Sequence, residues 1–144
     1  MPFTLIELPA AGTTEPTEDV ELTPVRLISR TNFFKSEKEI EEIEPNFDLL
    51  KQLPGQGLIV SSLGEKYDFV SRYFCPKFGI NEDPVTGSAH TTLIPYWSDK
   101  LNKKELRAKQ ISKRGGELFC INEESRVLIG GNATLYMKGE IEIN

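Results

Sequence analysis

The residue types best suited to chemistry lie in one short stretch, residues 79–90. It holds two acids, a proline, glycines, two hydroxyl side chains and the only histidine of the chain. An apolar run follows directly, which predicts a polar loop that opens into the N-terminus of a buried helix. The first N–H groups of a helix lack intrahelical partners, and the helix dipole places about half a positive charge there, so an anion is favoured. An acid beside such a pocket could move a proton on a carboxylate-bearing substrate.

Asp83 is the main catalytic candidate in this stretch. Partly buried near a helix N-terminus, it could act as a general acid or base. Aspartate is also a favoured helix cap, so a purely structural role stays open at this point. Thr86, Gly87 and Ser88 could bind a carboxylate or phosphate through backbone and hydroxyl donors, or could simply begin the helix. A nucleotide-binding loop is excluded, because no Gly-Lys-Ser/Thr signature is present.

Four further side chains have both a chemical and a structural interpretation. His90 could bind the substrate or carry a proton, although a single histidine early in a buried helix is typical of a core residue. Arg72 could line the site or form an ion pair with one of the two acids of the loop. Arg114 is followed by two glycines that let the chain bend, and its guanidinium could reach the same pocket. Cys75 could be reactive, but a buried cysteine in an aromatic strand usually only packs.

Composition narrows the class of protein. With 144 residues the chain suits one domain, and its net charge of -5 argues against binding to nucleic acid or to an acidic membrane surface. Cys75 and Cys120 are the only cysteines, which suits a reducing cytoplasm and no disulfide framework. A single histidine without close cysteines makes a zinc site unexpected. No apolar run reaches the roughly 20 residues of a membrane span, and no secretion signal is expected.

The hydrophobic pattern predicts an α+β lobe in which several strands curl round a central helix, with two short helices outside. Helices are expected from the Ser36 cap to Ile43, over 47–53, and from Thr86 or Gly87 to Leu101. The last of these is apolar nearly all round in its middle, and Pro95 should kink or break it. Residues 10–23 predict a mobile loop. Strands are predicted over 3–8, 24–30, 58–60, 67–75, 106–112, 116–121, 126–129 and 133–143.

Residues 67 to about 135 resemble the phenazine-biosynthesis PhzF-like family. The matching segments, in the family's order and spacing, are 68–72, 79–90, 95–97, 110–116 and 130–133. The resemblance implies the diaminopimelate-epimerase-like fold, with two lobes that each wrap a strongly curled, mostly antiparallel sheet around a central helix. It also implies a cofactor-independent isomerase or epimerase that acts by proton transfer. Asp83 matches the family's active-site aspartate, and Thr86, Gly87 and Ser88 match the helix start that faces the substrate.

The chain also departs from the family pattern. Family members are about twice as long, and their acid/base glutamate and a further histidine lie in a first lobe that has no counterpart here. Residues 1–144 therefore correspond to the C-terminal lobe, and we expect little or no turnover from the chain alone. The expected partners are a small carboxylate-bearing molecule and either a second copy of the chain or a separate first-lobe chain. The alternatives are a non-catalytic binding or assembly module, or a small anion-binding protein.

Overall fold

The sheet on which the chain is built has seven strands in the order β1-β7-β6-β5-β4-β3-β2. The structure, a computed structural model, describes residues 3–9 and 29–143. The strands are β1 Phe3–Pro9, β2 Arg30–Phe33, β3 Leu58–Leu63, β4 Phe69–Phe74, β5 Glu105–Gln110, β6 Gly116–Glu123 and β7 Arg126–Asn132. The helices are α1 Glu37–Glu41, α2 Phe47–Gln52 and α3 Gly87–Leu101, and a 3-10 turn spans Pro76–Phe78.

The α+β class is confirmed, whereas the expected strong curl of the sheet is not. β2 is parallel to β3 and β4 is parallel to β5, and the other four neighbouring pairs are antiparallel. β1 and β2 lie at opposite edges of this mixed, open sheet. Helices cover both of its faces, so the sheet does not have to wrap around α3 to bury its apolar side chains.

Strand β4 explains how one sheet supports two separate cores. Its side chains alternate between the two faces, as the sequence predicts for residues 67–75. Phe69 and Tyr73 pack with Leu93 and Trp97 of α3 in the larger core. On the other face, Val70 and Phe74 pack with Ile40 of α1, and α2 contributes partly buried residues to this second core. The two short helices therefore lie opposite α3, outside the main core.

Capping side chains fix where the short helices begin. Ser36 Oγ accepts a hydrogen bond from the Glu39 N–H at 3.3 Å, as the capping pattern predicts. Glu39 in turn accepts from the backbone of Lys35 at 3.1 Å rather than from Ser36. Asn46 Oδ1 accepts from the Leu49 N–H at 3.0 Å and starts α2 in the same way.

Helix α3 has the predicted bounds but not the predicted burial. Of the kink or break predicted at Pro95, the break is absent, because the helix continues through this residue. One side is buried against the sheet and the other side is partly or fully exposed, because its buried residues recur three and four positions apart. The buried indole of Trp97 donates to Ser61 Oγ at 2.8 Å and anchors the helix to β3. None of the helices in the described ranges is long and apolar enough to cross a membrane.

Two predicted strands differ from the structure or fall outside it. The segment 133–143 forms no strand and is exposed throughout, so the prediction of a strand there is wrong. Most of the strand predicted over 24–30 and all of the loop predicted over 10–23 lie outside the described residues. Where the description of the chain resumes, at residue 29, the first strand is β2, which begins at Arg30.

Candidate functional site

The loop that precedes α3 is held along the end of β4. The Asp83 N–H donates to the carbonyl of Tyr73 at 3.0 Å, and the Cys75 N–H donates to the carbonyl of Asn81 at 3.1 Å. Gly79 begins the return of the chain with a φ of 82°, a conformation that a residue with a Cβ rarely adopts. These contacts give the loop a defined path and bring Asp83 to the point where the sheet meets the start of α3.

The carboxylate of Asp83 is bound by a side chain of its own loop. Its Oδ2 accepts a hydrogen bond from Thr86 Oγ1 at 2.5 Å. The N-cap position of α3 is occupied by Thr86, and among the described residues no side-chain capping hydrogen bond is made there. The interpretation of Asp83 as a helix cap is therefore wrong. Thr86 orients the carboxylate of Asp83 directly before the helix start. In the described part of the chain, no side chain caps the first N–H groups of this helix.

Gln110 clamps this arrangement from β5, and sequence reasoning did not identify its role. Its Oε1 accepts from the Thr86 N–H at 2.8 Å, while its Nε2 donates to the Asp83 carbonyl at 2.6 Å and to Thr86 Oγ1 at 3.1 Å. Gln110 is completely buried. Because β4 and β5 are parallel, their C-terminal ends lie side by side, and Gln110 can reach the loop. One pattern in the sequence could have indicated this role. Gln110 alternates with Leu106 and Ala108, so it lies on the same buried face of β5 as these two apolar residues.

The turn after β5 packs directly on the same loop. Ser112 Oγ donates to the carbonyl of Pro84 at 2.8 Å and accepts from the Gly115 N–H at 3.1 Å. Gly116 approaches Val85 so closely that an added Cβ would overlap the Val85 Cγ2 methyl group. The site loop is thus fixed by hydrogen bonds on one side and by the contact between Gly116 and Val85 on the other.

We expect Gly116→Ala to lower the free energy of unfolding by about 1–3 kcal/mol, the usual range for overpacking a close contact. Urea unfolding followed by tryptophan fluorescence measures this change. The double variant Gly116→Ala/Val85→Ala should recover part of the loss, because it removes the methyl group that the new Cβ meets. Gly139→Ala is the matched control, since an added Cβ there meets nothing within 4 Å. Equal effects at the two glycines would contradict the proposed contact.

A cleft of about 680 Å³ opens beside the start of α3. Val85, Leu118 and Ile129 give it an apolar part, and Arg114 brings a cation to it. Glu117 also borders it, but its carboxylate accepts from the Tyr67 hydroxyl at 2.5 Å and lies 3.7 Å from the guanidinium of Arg107. The remaining lining residues are Gly87, Gly115, Gly116, Gly130, Gly131, Asn132 and Ala133. The cleft therefore combines an apolar wall and accessible glycine backbone with a guanidinium, which suits a small organic anion.

His90 lies in the core rather than at the cleft. Its side chain is completely buried, and its Nδ1 donates to the Thr86 carbonyl at 2.8 Å. Burial lowers the pKa of His90 from 6.5 to about 4, so the imidazole is neutral at neutral pH. The structure thus favours a core role for His90, in which it supports the start of α3 from within the helix.

Arg72 joins the site loop to α1. It forms an ion pair with Glu82 through Nε at 2.8 Å and Nη2 at 3.0 Å, which confirms one of the two predicted interpretations. Its Nη1 donates to the carbonyls of Ile40 and Ile43 at 3.0 Å and of Glu41 at 3.3 Å. These bonds occupy the guanidinium, so the geometry favours a structural role over direct contact with a substrate.

The two cysteines are free and buried. Cys75 belongs to the larger core, and burial together with the nearby negative charge of Asp83 raises the pKa of its thiol. Burial raises the pKa of Cys120 to about 12. Both thiols are therefore uncharged at neutral pH, which supports the packing interpretation. Among the described residues, no group of three histidine, cysteine or acidic side chains could hold a metal ion.

Comparisons with known proteins agree with one another. A family model described as phenazine biosynthesis-like protein, PhzC-PhzF, matches residues 31–139. An uncharacterized isomerase of Pseudomonas aeruginosa is 45% identical over 137 residues, which are 92% of this chain and 52% of that protein. The crystal structure of a PhzF-family protein from Enterococcus faecalis superposes with a TM-score of 0.78 and 41% identity, over 98% of this chain and 58% of that one. A putative PhzC/PhzF protein from Clostridium difficile gives a TM-score of 0.77 and 36% identity, with the same coverage.

Proposed function

Because the chain belongs to the phenazine biosynthesis-like (PhzC-PhzF) family, we propose that it is the second lobe of a cofactor-independent isomerase. In this proposal the enzyme transfers a proton on a small substrate that carries a carboxylate. The observation that carries it is the position of Asp83, whose carboxylate is oriented by Thr86 and whose backbone is clamped by Gln110, directly before the uncapped start of α3. Several of its relatives are described as isomerases.

Each part of the site has a distinct role in this proposal. Asp83 moves the proton or orients the group that loses it, through the carboxylate oxygen that Thr86 does not bind. The backbone N–H groups at Gly87 and Ser88 bind the substrate carboxylate, because they lie at the positive end of the helix dipole. Arg114 supplies the complementary charge at the cleft. His90 and Arg72, which the sequence suggested as substrate ligands, hold the helix start and the loop in place.

The site is proposed to be one half of a complete active site. The chain spans about half the length of the curated relatives it matches. In a two-lobed enzyme with the diaminopimelate-epimerase-like fold, the opposite wall and the second acid/base group would come from the other lobe. We therefore expect the 144-residue protein alone to isomerise small acids slowly or not at all. Deuterium uptake from D₂O at the carbon next to the carboxylate, followed by proton NMR, measures this, and enzyme-like exchange that Asp83→Ala abolishes would contradict it.

Anion binding by the lobe itself is the direct test of the site. In ¹⁵N-labelled protein titrated with sodium benzoate, the amide signals of Gly87 and Ser88 should shift in a saturable way, whereas sodium chloride at the same ionic strength should not shift them. Arg114→Gln should weaken benzoate binding severalfold, because it removes a charge from the cleft. Lys113→Gln is the matched control, since Lys113 borders a smaller neighbouring cleft and is not among the residues that line the larger one. Benzoate shifts confined to other residues would count against the proposed site.

A non-catalytic assembly module is the second candidate function. The observation that favours it is the run of exposed apolar side chains after β7, at Leu135, Met137, Ile141 and Ile143. Exposed apolar surface on this scale is typical of a segment that contacts another chain.

A further inference from the structure

A row of three buried polar side chains crosses the sheet beneath α3. The strand register places Ser61 of β3 opposite Ser71 of β4, and Ser71 beside Gln110 of β5. Residues paired in this way point to the same face of a sheet, here the face that packs against α3. The two outer members are bonded to α3 or its N-cap. Ser61 Oγ accepts from the Trp97 indole N–H at 2.8 Å, and Gln110 Oε1 accepts from the Thr86 N–H at 2.8 Å.

The middle member of the row and one residue of α3 each carry an unpartnered polar atom. Ser71 Oγ and His90 Nε2 are both buried, and neither has a hydrogen-bond partner among the described residues. The His90 Nδ1 faces the Thr86 carbonyl, which can only accept, so Nδ1 carries the proton and Nε2 of the neutral ring is an acceptor. The Ser71 hydroxyl can donate or accept. The two unpartnered atoms therefore have complementary chemistry.

The path of α3 brings His90 over the middle of the row. His90 lies between Thr86 and Trp97, the two residues that are bonded to the ends of the row. Its ring centroid is 5.8 Å from that of Phe69, which precedes Ser71 by two positions on the same face of β4. The histidine of the helix and the serine of the strand thus occupy the same part of the interface between α3 and the sheet.

The missing partner must be small and must lie inside the core. Ser71 is 1% exposed and His90 is 0% exposed, so neither a further lobe nor a second copy of the chain can reach these atoms. Ser71 is flanked on its face of β4 by the much larger Phe69 and Tyr73, which leaves room above the serine. Polar atoms buried without a partner are costly, and internal water is the usual remedy where two or more such atoms converge.

We propose that an internal water molecule binds between Ser71 and His90, donates a hydrogen bond to His90 Nε2 and forms a second hydrogen bond with Ser71 Oγ. The bridge completes the polar row beneath α3. It also holds the imidazole in the orientation in which Nδ1 meets the Thr86 carbonyl, so it supports the start of α3 from below. This water site does not depend on the isomerase activity proposed above, since neither residue lines the cleft.

A high-resolution crystal structure of the 144-residue protein tests the site directly. One ordered water should lie about 2.7–3.2 Å from both Ser71 Oγ and His90 Nε2. In Ser71→Val this water should be absent, because valine fills the space with methyl groups and offers no hydrogen bond. Ser62→Ala is the matched control, since Ser62 is a fully buried serine opposite Val70 on the other face of the sheet, and it should keep the water. A dry space, or a direct bond between the two side chains, would overturn the proposal.

A double-mutant cycle measured by urea unfolding tests whether Ser71 and His90 are coupled. Ser71→Ala should raise the equilibrium constant of unfolding about tenfold in the original protein, because the buried acceptor of His90 loses part of its support. In a His90→Phe background the same change should raise it less than about threefold, since no acceptor remains there. Ser62→Ala should have the same effect in both backgrounds. Equal effects of Ser71→Ala in the two backgrounds would contradict the bridge, and if His90→Phe does not fold, the crystal structure of the original protein decides alone.

Discussion

Replacing Arg72 with methionine is expected to lower the free energy of unfolding by about 2–4 kcal/mol, somewhat less than the roughly 3–5 kcal/mol that removing one partner of a fully buried ion pair costs. The side chains of Arg72 and Glu82 are only 14% and 19% exposed. Methionine would leave the Glu82 carboxylate without its partner and would remove the hydrogen bonds to three carbonyls at the end of α1. Since a domain is stable by only about 5–15 kcal/mol, this is a large fraction of the total. Urea unfolding at neutral pH measures it.

Arg107→Met is the matched control for this experiment. Arg107 also forms an ion pair with a glutamate, Glu117, but the two atoms are 3.7 Å apart and the side chains are 61% and 43% exposed. Exposed pairs of this kind contribute about 0–1 kcal/mol. If Arg72→Met lowers the free energy of unfolding no more than Arg107→Met does, the guanidinium of Arg72 does not hold α1 and the site loop together.

Acidification is expected to destabilise the protein through His90, by about 2–3 kcal/mol between pH 7.5 and 4.5. The pKa of His90 is about 4 in the folded protein and 6.5 in the unfolded chain. The unfolded state therefore binds the proton first as the pH falls, and unfolding becomes more favourable in this interval. The stabilising contribution is complete above pH 6.5 and is lost as the pH approaches 4. Urea unfolding at half-unit pH steps measures the slope.

The variant His90→Gln separates this effect from the titration of carboxylates. It keeps a side-chain N–H for the Thr86 carbonyl but has no group that titrates in this range. The loss of stability on acidification should be smaller in the variant than in the original protein by about 2–3 kcal/mol. Identical pH profiles would show that His90 is not the neutral, buried group that the structure describes.

Local signals in the sequence predicted the elements that depend on local contacts. The Ser36 cap, the alternation along β4 and the bounds of α3 were all read correctly, because each depends on residues within a few positions of one another. Asp83 was singled out for the same reason, as an acid just before an apolar helical run. The family resemblance was confirmed by the match over residues 31–139.

Features that depend on topology were not predictable in the same way. The clamp of Gln110 on Asp83 requires that β4 and β5 be parallel neighbours, which no local pattern encodes. The role of Arg72 depends on α1, which approaches it from a distant part of the sequence. The segment 133–143 has the right alternation for a strand, yet alternation alone cannot show whether a neighbouring strand is there to pair with it. Local sequence therefore predicted the local elements of structure better than it predicted contacts between distant segments.

The pairing of β1 with β7 has a consequence for the order in which the protein folds. Phe3 lies opposite Asn132, so this pairing closes a loop that contains nearly the whole chain. Closing such a loop is entropically expensive, and non-local pairings of this kind slow folding. The strands around α3 need shorter closures and can form before β1 joins the edge. Because β1 pairs with Gly130 and Gly131, which border the cleft, we expect the wall of the cleft to be completed in the last folding step.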